Sequence, residues 1–244
     1  MLISSTPLNI NGQLIPVKIY SERRVNARAA LGRTHFILRL PQGLSKQALN
    51  NHLSWFEKWV IEVLAANPKI KEQFDLKAYK TADTLKVGDR TYLLKVSYED
   101  RKTHIAQLKH GTIHLKLCKE VNPLDVDKAT KQLLSAIVAQ DFQTEIEQRV
   151  QAINTLHFNQ TIKKVVLRYN HSKWGSCSSS GVITLSTRLL FAPKEVIDYV
   201  IIHELAHLLE MNHSDRFWNI VEERMPNYRQ HEQWLKINGH LCSF

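Results

Sequence analysis

Two histidines four residues apart, with a glutamate directly after the first, form the run His203-Glu204-Leu205-Ala206-His207. On a helix, a step of four residues is about 400° of rotation, so both imidazoles project from one face, a turn apart. That placement allows one metal ion to be held by two ring nitrogens at roughly 2.0–2.1 Å. Glu204 lies about 100° further round, within reach of a water at the metal without being a ligand. His213, six residues past His207, is the expected third ligand. Three protein ligands leave a fourth tetrahedral position open, the mark of a catalytic zinc site. The competing third ligands are Glu210, Glu222 and Glu223.

The chemistry expected of such a site is hydrolysis. One zinc ion lowers the pKa of bound water from 15.7 to about 7, so a His-bound metal hydroxide is available at neutral pH. Glu204 is the expected general base. Zinc follows from the nitrogen-rich ligand set, although three imidazoles also accept nickel, cobalt or manganese. Peptides and proteins are the leading substrates. The alternative is a zinc-dependent hydrolase of non-peptide substrates such as nucleoside triphosphates, because this motif does not fix what is attacked.

The elements around the motif must hold it rigidly. Val196, Ile197, Val200, Ile201, Leu205, Leu208 and Leu209 make the metal-bearing helix apolar round most of its circumference, hence buried. After it, Glu210 stands where a sharp turn usually has glycine. Asn212 tolerates a left-handed turn better, which suggests a slightly longer helix. Ser214 caps a further helix from Asp215 to Met225, stopped by Pro226. Before the metal helix, Lys163 to Arg168 reads as a strand, 170–180 as a polar loop, and Gly181 to Thr187 as a short strand. The candidate substrate-binding edge is Val182, Ile183, Thr184 and Leu185, whose free backbone groups would pair with an extended peptide; an ordinary core strand is the other reading of the same residues.

Other residues invite roles. Tyr228, His231, His171 and Arg168 are candidates to stabilise an oxyanion. Met225 could floor the metal but suits ordinary helix packing better. Cys177 lacks an oriented base and reads as structural rather than nucleophilic. Trp174 reads as a buried anchor for its loop.

The segment from Arg168 to Trp218 resembles the YgjP-like metallopeptidases. Its matching pieces are Trp174-Gly175-Ser176-Cys177, Pro193, Asp198-Tyr199-Val200, the HExxH run, Asn212-His213-Ser214 and Phe217-Trp218. The resemblance implies a zincin-type catalytic domain, with the three histidines as ligands and Glu204 as base.

Towards the N-terminus the signals turn to strands. Leu14 to Tyr20 and His35 to Leu40 alternate in polarity, and Ser45 caps a helix with the stripe Leu49, Leu53, Phe56, Val60, Val63. Strands are expected at 91–96, 103–108 and 112–117, the last two joined at Lys109-His110-Gly111. A long helix follows from about Leu124 to Leu156. The expected fold class is α+β: a basic β-rich domain over 1–122, then a zincin-like catalytic domain over 123–244.

Composition bounds the rest. The 244 residues are 43% hydrophobic and 23% charged, ordinary for a globular protein. The start lacks a basic segment followed by a long apolar core, and no apolar run reaches membrane-spanning length. Cys118, Cys177 and Cys242 are odd in number and widely spaced, which argues against a disulfide framework. A soluble cytoplasmic protein is expected, with no membrane partner. The net charge of +10 is uneven: residues 1–120 carry 20 Lys and Arg against 10 Asp and Glu, residues 121–244 carry 13 against 13. The basic half, with Arg23, Arg24, Arg28, Arg33, Arg39, Lys69, Lys71, Lys77, Lys80 and Lys86, can mark a nucleic acid or other anionic partner, but these positions are scattered along the sequence, and a solvated face accounts for them as well.

Overall fold

The structure is a computed structural model and describes residues 1–10, 12–32, 35–67, 70, 79–119, 121 and 123–244. Arg33, Lys69, Lys71, Lys77 and Asn122 lie outside the described residues. The chain divides into two compact units, Met1–Lys77 and Ala78–Phe244, each mixed in helix and sheet.

In the first unit, β1 (Leu2–Ser4), β4 (Val17–Glu22), β5 (Arg28–Leu31) and β6 (Phe36–Pro41) form a sheet of order β1-β4-β6-β5. β2 (Leu8–Ile10) and β3 (Gln13–Ile15) make a separate pair. The single strand expected over Leu14 to Tyr20 is two, broken at Pro16, which has no N–H to give a ladder. Helix α1 (Lys46–Ala66) starts as predicted, with Ser45 Oγ accepting from the Ala48 N–H at 3.2 Å. Its buried side chains Phe56, Val60 and Leu64 share a core with Ile15, Val17, Phe36, Leu38 and Leu40.

The second unit opens with β7 (Thr84–Val87), β8 (Arg90–Glu99), β9 (Ile105–Lys109) and β10 (Thr112–Cys118), in the order β7-β8-β10-β9. β9 and β10 are joined through His110 and Gly111, both at positive φ (47° and 74°), as a tight two-residue hairpin demands. One face of this sheet buries Leu85, Val87, Tyr92, Leu94, Ile113 and Leu115 in one core with Leu134, Val138 and Phe142 of α2 (Pro123–His157). The boundary expected at 122/123 therefore falls inside a unit. The four strands need the long helix to cover their apolar face, so they fold with it.

Behind α2 come β11 (Lys164–Arg168), β12 (Gly175–Cys177) and β13 (Val182–Ser186), then a 3₁₀ turn (Thr187–Phe191). Three helices complete the unit: α3 (Lys194–Ala206), α4 (Asp215–Arg224) and α5 (Tyr228–Asn238). Bidentate hydrogen bonds from Arg149 to Asp198, at 2.5 and 2.7 Å, tie α2 to α3. Two elements here escape the sequence reading. β12 lies within the stretch expected to be loop, and α5 lies beyond the helix expected over Asp215 to Met225. No helix among the described residues is long and apolar enough to cross a membrane.

Candidate active site

Helix α3 supplies the first two imidazoles. It is buried on nearly every side, as its composition predicts, and ends at Ala206 with His207 as its C-cap. The helix does not lengthen before turning. Leu208, Leu209 and Glu210 donate back to Leu205 and Ala206 at 2.9–3.0 Å, and neither Glu210 nor Asn212 has positive φ. A turn built from ordinary φ values has no need of glycine. Ser214 then caps α4 by accepting from the Phe217 N–H at 3.4 Å, and the loop between the helices carries His213 back over α3.

His203, His207 and His213 converge. One ligand atom from each lies within 4.8 Å of the others, and no further group of this kind occurs among the described residues. The Nε2 atoms of His203 and His213 are 3.0 Å apart, and the ring centroids are separated by 4.7–5.1 Å. His207 Nδ1 donates to the Glu210 carbonyl at 3.1 Å, which leaves its Nε2 lone pair for a ligand. Of the competing third ligands, Glu223 is ion-paired to Arg224, Glu222 is exposed, and Glu210 lies 3.9 Å from Arg216.

Phe217 forms the floor of this triad. It is fully buried, with its ring 4.9, 4.5 and 4.7 Å from those of His203, His207 and His213. Trp218 stands beside His203 and His213 at 5.8 Å from each. The role considered for Met225 thus belongs to Phe217, on the first turn of α4. Met225 caps the far end of that helix and packs into the core. An aromatic at the fourth position after His213 was the available signal, since Ser214 fixes the phase of α4.

Burial governs protonation here. His203 is pushed down to about 3 by burial, then by His207 and His213, so its ring is neutral at physiological pH. His207 is lowered mainly by burial as well. Glu204 is 4% exposed, and its carboxyl is pushed up to about 8 by burial, against the opposing pull of Lys173 and of a hydrogen bond from the Cys177 backbone N–H. Its Oε2 is buried with no partner among the described residues. The Nε2 atoms of His203 and His213 face each other at 3.0 Å, and the neutral His203 ring has a lone pair to offer a ligand. A divalent cation satisfies that donor set, and the residues present fit one.

The strand alongside is not the expected one. β13 is central in the order β11-β13-β12, pairing parallel with β11 and antiparallel with β12. The backbone of Val182, Ile183, Thr184 and Leu185 is thus engaged on both sides, and the expectation of a free edge there is corrected. β12 occupies the edge. Its Gly175 touches Glu204: a Cβ at that position would lie 2.5 Å from Oε1.

The remaining candidates separate. Tyr228 stacks on Trp218 at 5.5 Å and on Tyr199 at 6.3 Å, and His231 lies 6.4 Å from Tyr199, itself 6.1 Å from His203. They form an aromatic wall behind the triad. Arg168 ends β11, across the sheet from β12, and the His171 carbonyl accepts from Arg188. Cys177 has its thiol pushed up to about 11 by burial and Glu204, so it is not a thiolate nucleophile. Trp174 is clamped: the Arg188 guanidinium lies 4.6 Å over its ring, and a Cβ on Gly239 would be 2.6 Å from it.

A family model described as YgjP-like, metallopeptidase domain, matches residues 25–238. Two solved structures are similar to part of the chain. The crystal structure of the metallopeptidase zymogen abylysin of Pyrococcus abyssi matches at 31% identity, covering 39% of this chain and 94% of that one, with a TM-score of 0.35. That of the metallopeptidase zymogen jannalysin of Methanocaldococcus jannaschii matches at 26% identity, over 39% and 96%, with a TM-score of 0.34. No curated protein matches.

Proposed function

The chain belongs to the YgjP-like metallopeptidase family, and from that premise we propose that it is a zinc peptidase of zincin type, with His203, His207 and His213 as ligands and Glu204 as general base. The observation that carries this reading is a buried, unpartnered carboxylate oxygen, Glu204 Oε2, on the helix that brings two of three converging imidazoles together. One zinc ion held there supplies Lewis acidity toward a peptide carbonyl and toward the attacking water.

The chain's own groups do the rest. Glu204 Oε2 takes the proton of the attacking water and returns it to the departing amine nitrogen. Burial raises this carboxyl to about 8 in the metal-free chain, where it keeps its proton at neutral pH; a bound dication would lower that value and free the carboxylate to act as base. The Cys177 N–H holds the carboxylate in place, and Gly175 gives it room.

Strand β12 is the proposed docking edge for substrate. Ser186 N–H donates to the Trp174 carbonyl and Ser178 N–H to the Val182 carbonyl, at 2.8 and 3.0 Å. Backbone groups alternate in direction along a strand, so Gly175 and Cys177 point theirs away from β13. The Cys177 N–H is taken by Glu204. Gly175 N–H and C=O, with the Cys177 C=O, remain for an extended peptide chain. The free cysteines Cys118, Cys177 and Cys242 suit a reducing cytoplasm as the place of action.

The test is cleavage of an unfolded polypeptide by purified protein with and without a chelator, beside Glu204→Gln and His207→Ala. Cleavage should need the metal, fall about 10²–10⁴-fold in Glu204→Gln with metal content kept, and vanish with the metal in His207→Ala. Full cleavage by Glu204→Gln would remove the base assignment.

A further inference from the structure

The sheet of β7–β10 has two unlike faces. Its inner residues are buried against α2, while the alternate positions point outward. The strand registers sort those outward residues into rows. Lys86 is paired with Thr91; Thr84, Leu93, Thr112 and Lys109 form the next row; Lys95, His114 and Gln107 the third; and Ser97, Lys116 and Ile105 the last. Lys86, Lys95, Lys109 and Lys116 are all exposed. The facing acid is Glu99, at the strand end, ion-paired to Lys116 at 3.1 Å and to Arg101 at 3.3 Å, with exposed Asp100 beside it. Lys86, Lys95 and Lys109 have no ion-pair partner among the described residues. Lysines that are scattered along the sequence, at 86, 95, 109 and 116, are thus gathered on one face by the period-two alternation of the strands.

We propose that this open face binds double-stranded DNA through its phosphate backbone. The four lysines are spread over an area of about 14 Å across the strands and about 20 Å along them, from ordinary strand spacings. Between them stand Thr84, Thr91, Thr112, Ser97 and Gln107, hydroxyl and amide groups of the kind that hydrogen-bond phosphate oxygens. Among the outward positions the one ring is the half-buried His114 imidazole, so the face offers no run of rings on which successive unstacked bases could sit, as single strands require. Leu93, 46% exposed, is the large apolar side chain most open to solvent there, too little to insert into a lipid surface. A face of four lysines, three of them unpaired and the fourth shared with Glu99, set among neutral donors and a single imidazole, matches the regular backbone of a duplex, read without regard to sequence.

The test is titration of a fluorescent random-sequence 20-base-pair DNA duplex with the full chain at several salt concentrations, read by anisotropy. No activity is measured, so the outcome is independent of the peptidase reading. Four phosphate contacts predict a slope of log K against log salt of about −3.6, a loss on the order of 10² between 50 and 200 mM. The triple variant Lys86→Ala, Lys95→Ala, Lys109→Ala should cut the slope to about −0.9, while its denaturation midpoint stays within a small margin of wild type. Binding that is absent at 50 mM salt, or unchanged in the triple variant, overturns the proposal. So does tighter binding of a single strand, of polyglutamate or of anionic vesicles than of the duplex.

Discussion

Gly175 and Glu204 are packed so closely that a side chain on the first would occupy the place of the carboxylate of the second. A Cβ at position 175 would fall 2.5 Å from Oε1, 2.7 Å from Cγ and 2.8 Å from Cδ of Glu204. Ordinary contact needs a full ångström more. The glycine is required here by approach rather than by φ, and the carboxylate it touches is buried, 4% exposed. Gly175→Ala should therefore displace Glu204 while leaving the imidazoles in place. The expected result is a loss of activity of about 10²-fold, since an error of this size in a reacting group costs that much, with full metal content and a stability cost of about 1–3 kcal/mol. Steady-state cleavage beside metal analysis checks it; wild-type turnover in this variant would show that Glu204 is not held where the chemistry occurs.

Phe217 supports all three imidazoles at once, with ring distances of 4.5–4.9 Å. Phe217→Ala opens a cavity under them, which costs about 3–5 kcal/mol of stability and lets the imidazoles tilt. Metal affinity should fall about 10–100-fold, the usual effect of losing a group that orients ligands. Phe217→Leu fills more of the space and should keep most of the affinity. Competition titration against a chromophoric chelator separates the two variants, and equal affinity in both would deny the ring its supporting role.

The triad was legible because its information is local. Helical rotation alone puts His203 beside His207, and Ser214 marks where the next helix starts, so His213 had to lie between two fixed ends. The edge strand was not legible. Gly175, Ser176 and Cys177 are small and polar residues between loop signals, and they become a strand only because β13 offers them a ladder. For the same reason the apolar run of β13 was mistaken for an edge when it is the centre of its sheet. Helix α5 is not marked in the sequence because Tyr228 and Leu235 are its only fully buried side chains, and most of the others are polar or charged. The division of the chain was misplaced because covering of one element by another, β7–β10 by α2, is a property of the fold and not of any window of sequence.

Arg188 holds the approach to β12 from behind. Its Nε donates to the Cys242 carbonyl at 2.7 Å, and its two terminal nitrogens donate to the His171 and Gly239 carbonyls at 2.8 Å. No carboxylate pairs with it among the described residues, so the charge is answered by carbonyl dipoles and by the Trp174 ring. Lysine keeps the charge but lacks the fork that reaches three directions. Arg188→Lys should lose about 2–4 kcal/mol of stability, on the scale of hydrogen bonds to charged groups. Amide exchange at Gly175–Cys177 should rise, while that of β13 should stay slow. Exchange unchanged in β12 would mean that the clamp only anchors the C-terminal residues.

The two buried groups of the site predict how the metal-free protein responds to pH. His203 has a folded value of about 3 against an ordinary 6.5, so its contribution to stability is full above pH 6.5 and is lost as pH falls toward 3. Glu204 has a folded value of about 8 against 4.5, so its contribution is full below pH 4.5 and is lost as pH rises toward 8. Between pH 4.5 and 6.5 the two trends oppose and largely cancel. Above 6.5 the Glu204 trend stands alone, and below 4.5 the His203 trend does, each with a slope of up to about 1.4 kcal/mol per pH unit. Comparison with Glu204→Gln isolates the upper limb, because every other titrating group is shared. In urea unfolding of chelator-treated protein, the stability of the wild type relative to Glu204→Gln should decline from pH 4.5 to 8 and level off beyond. A difference that is flat with pH would mean that Glu204 ionises in the folded chain as it does in water, and that burial does not hold its proton.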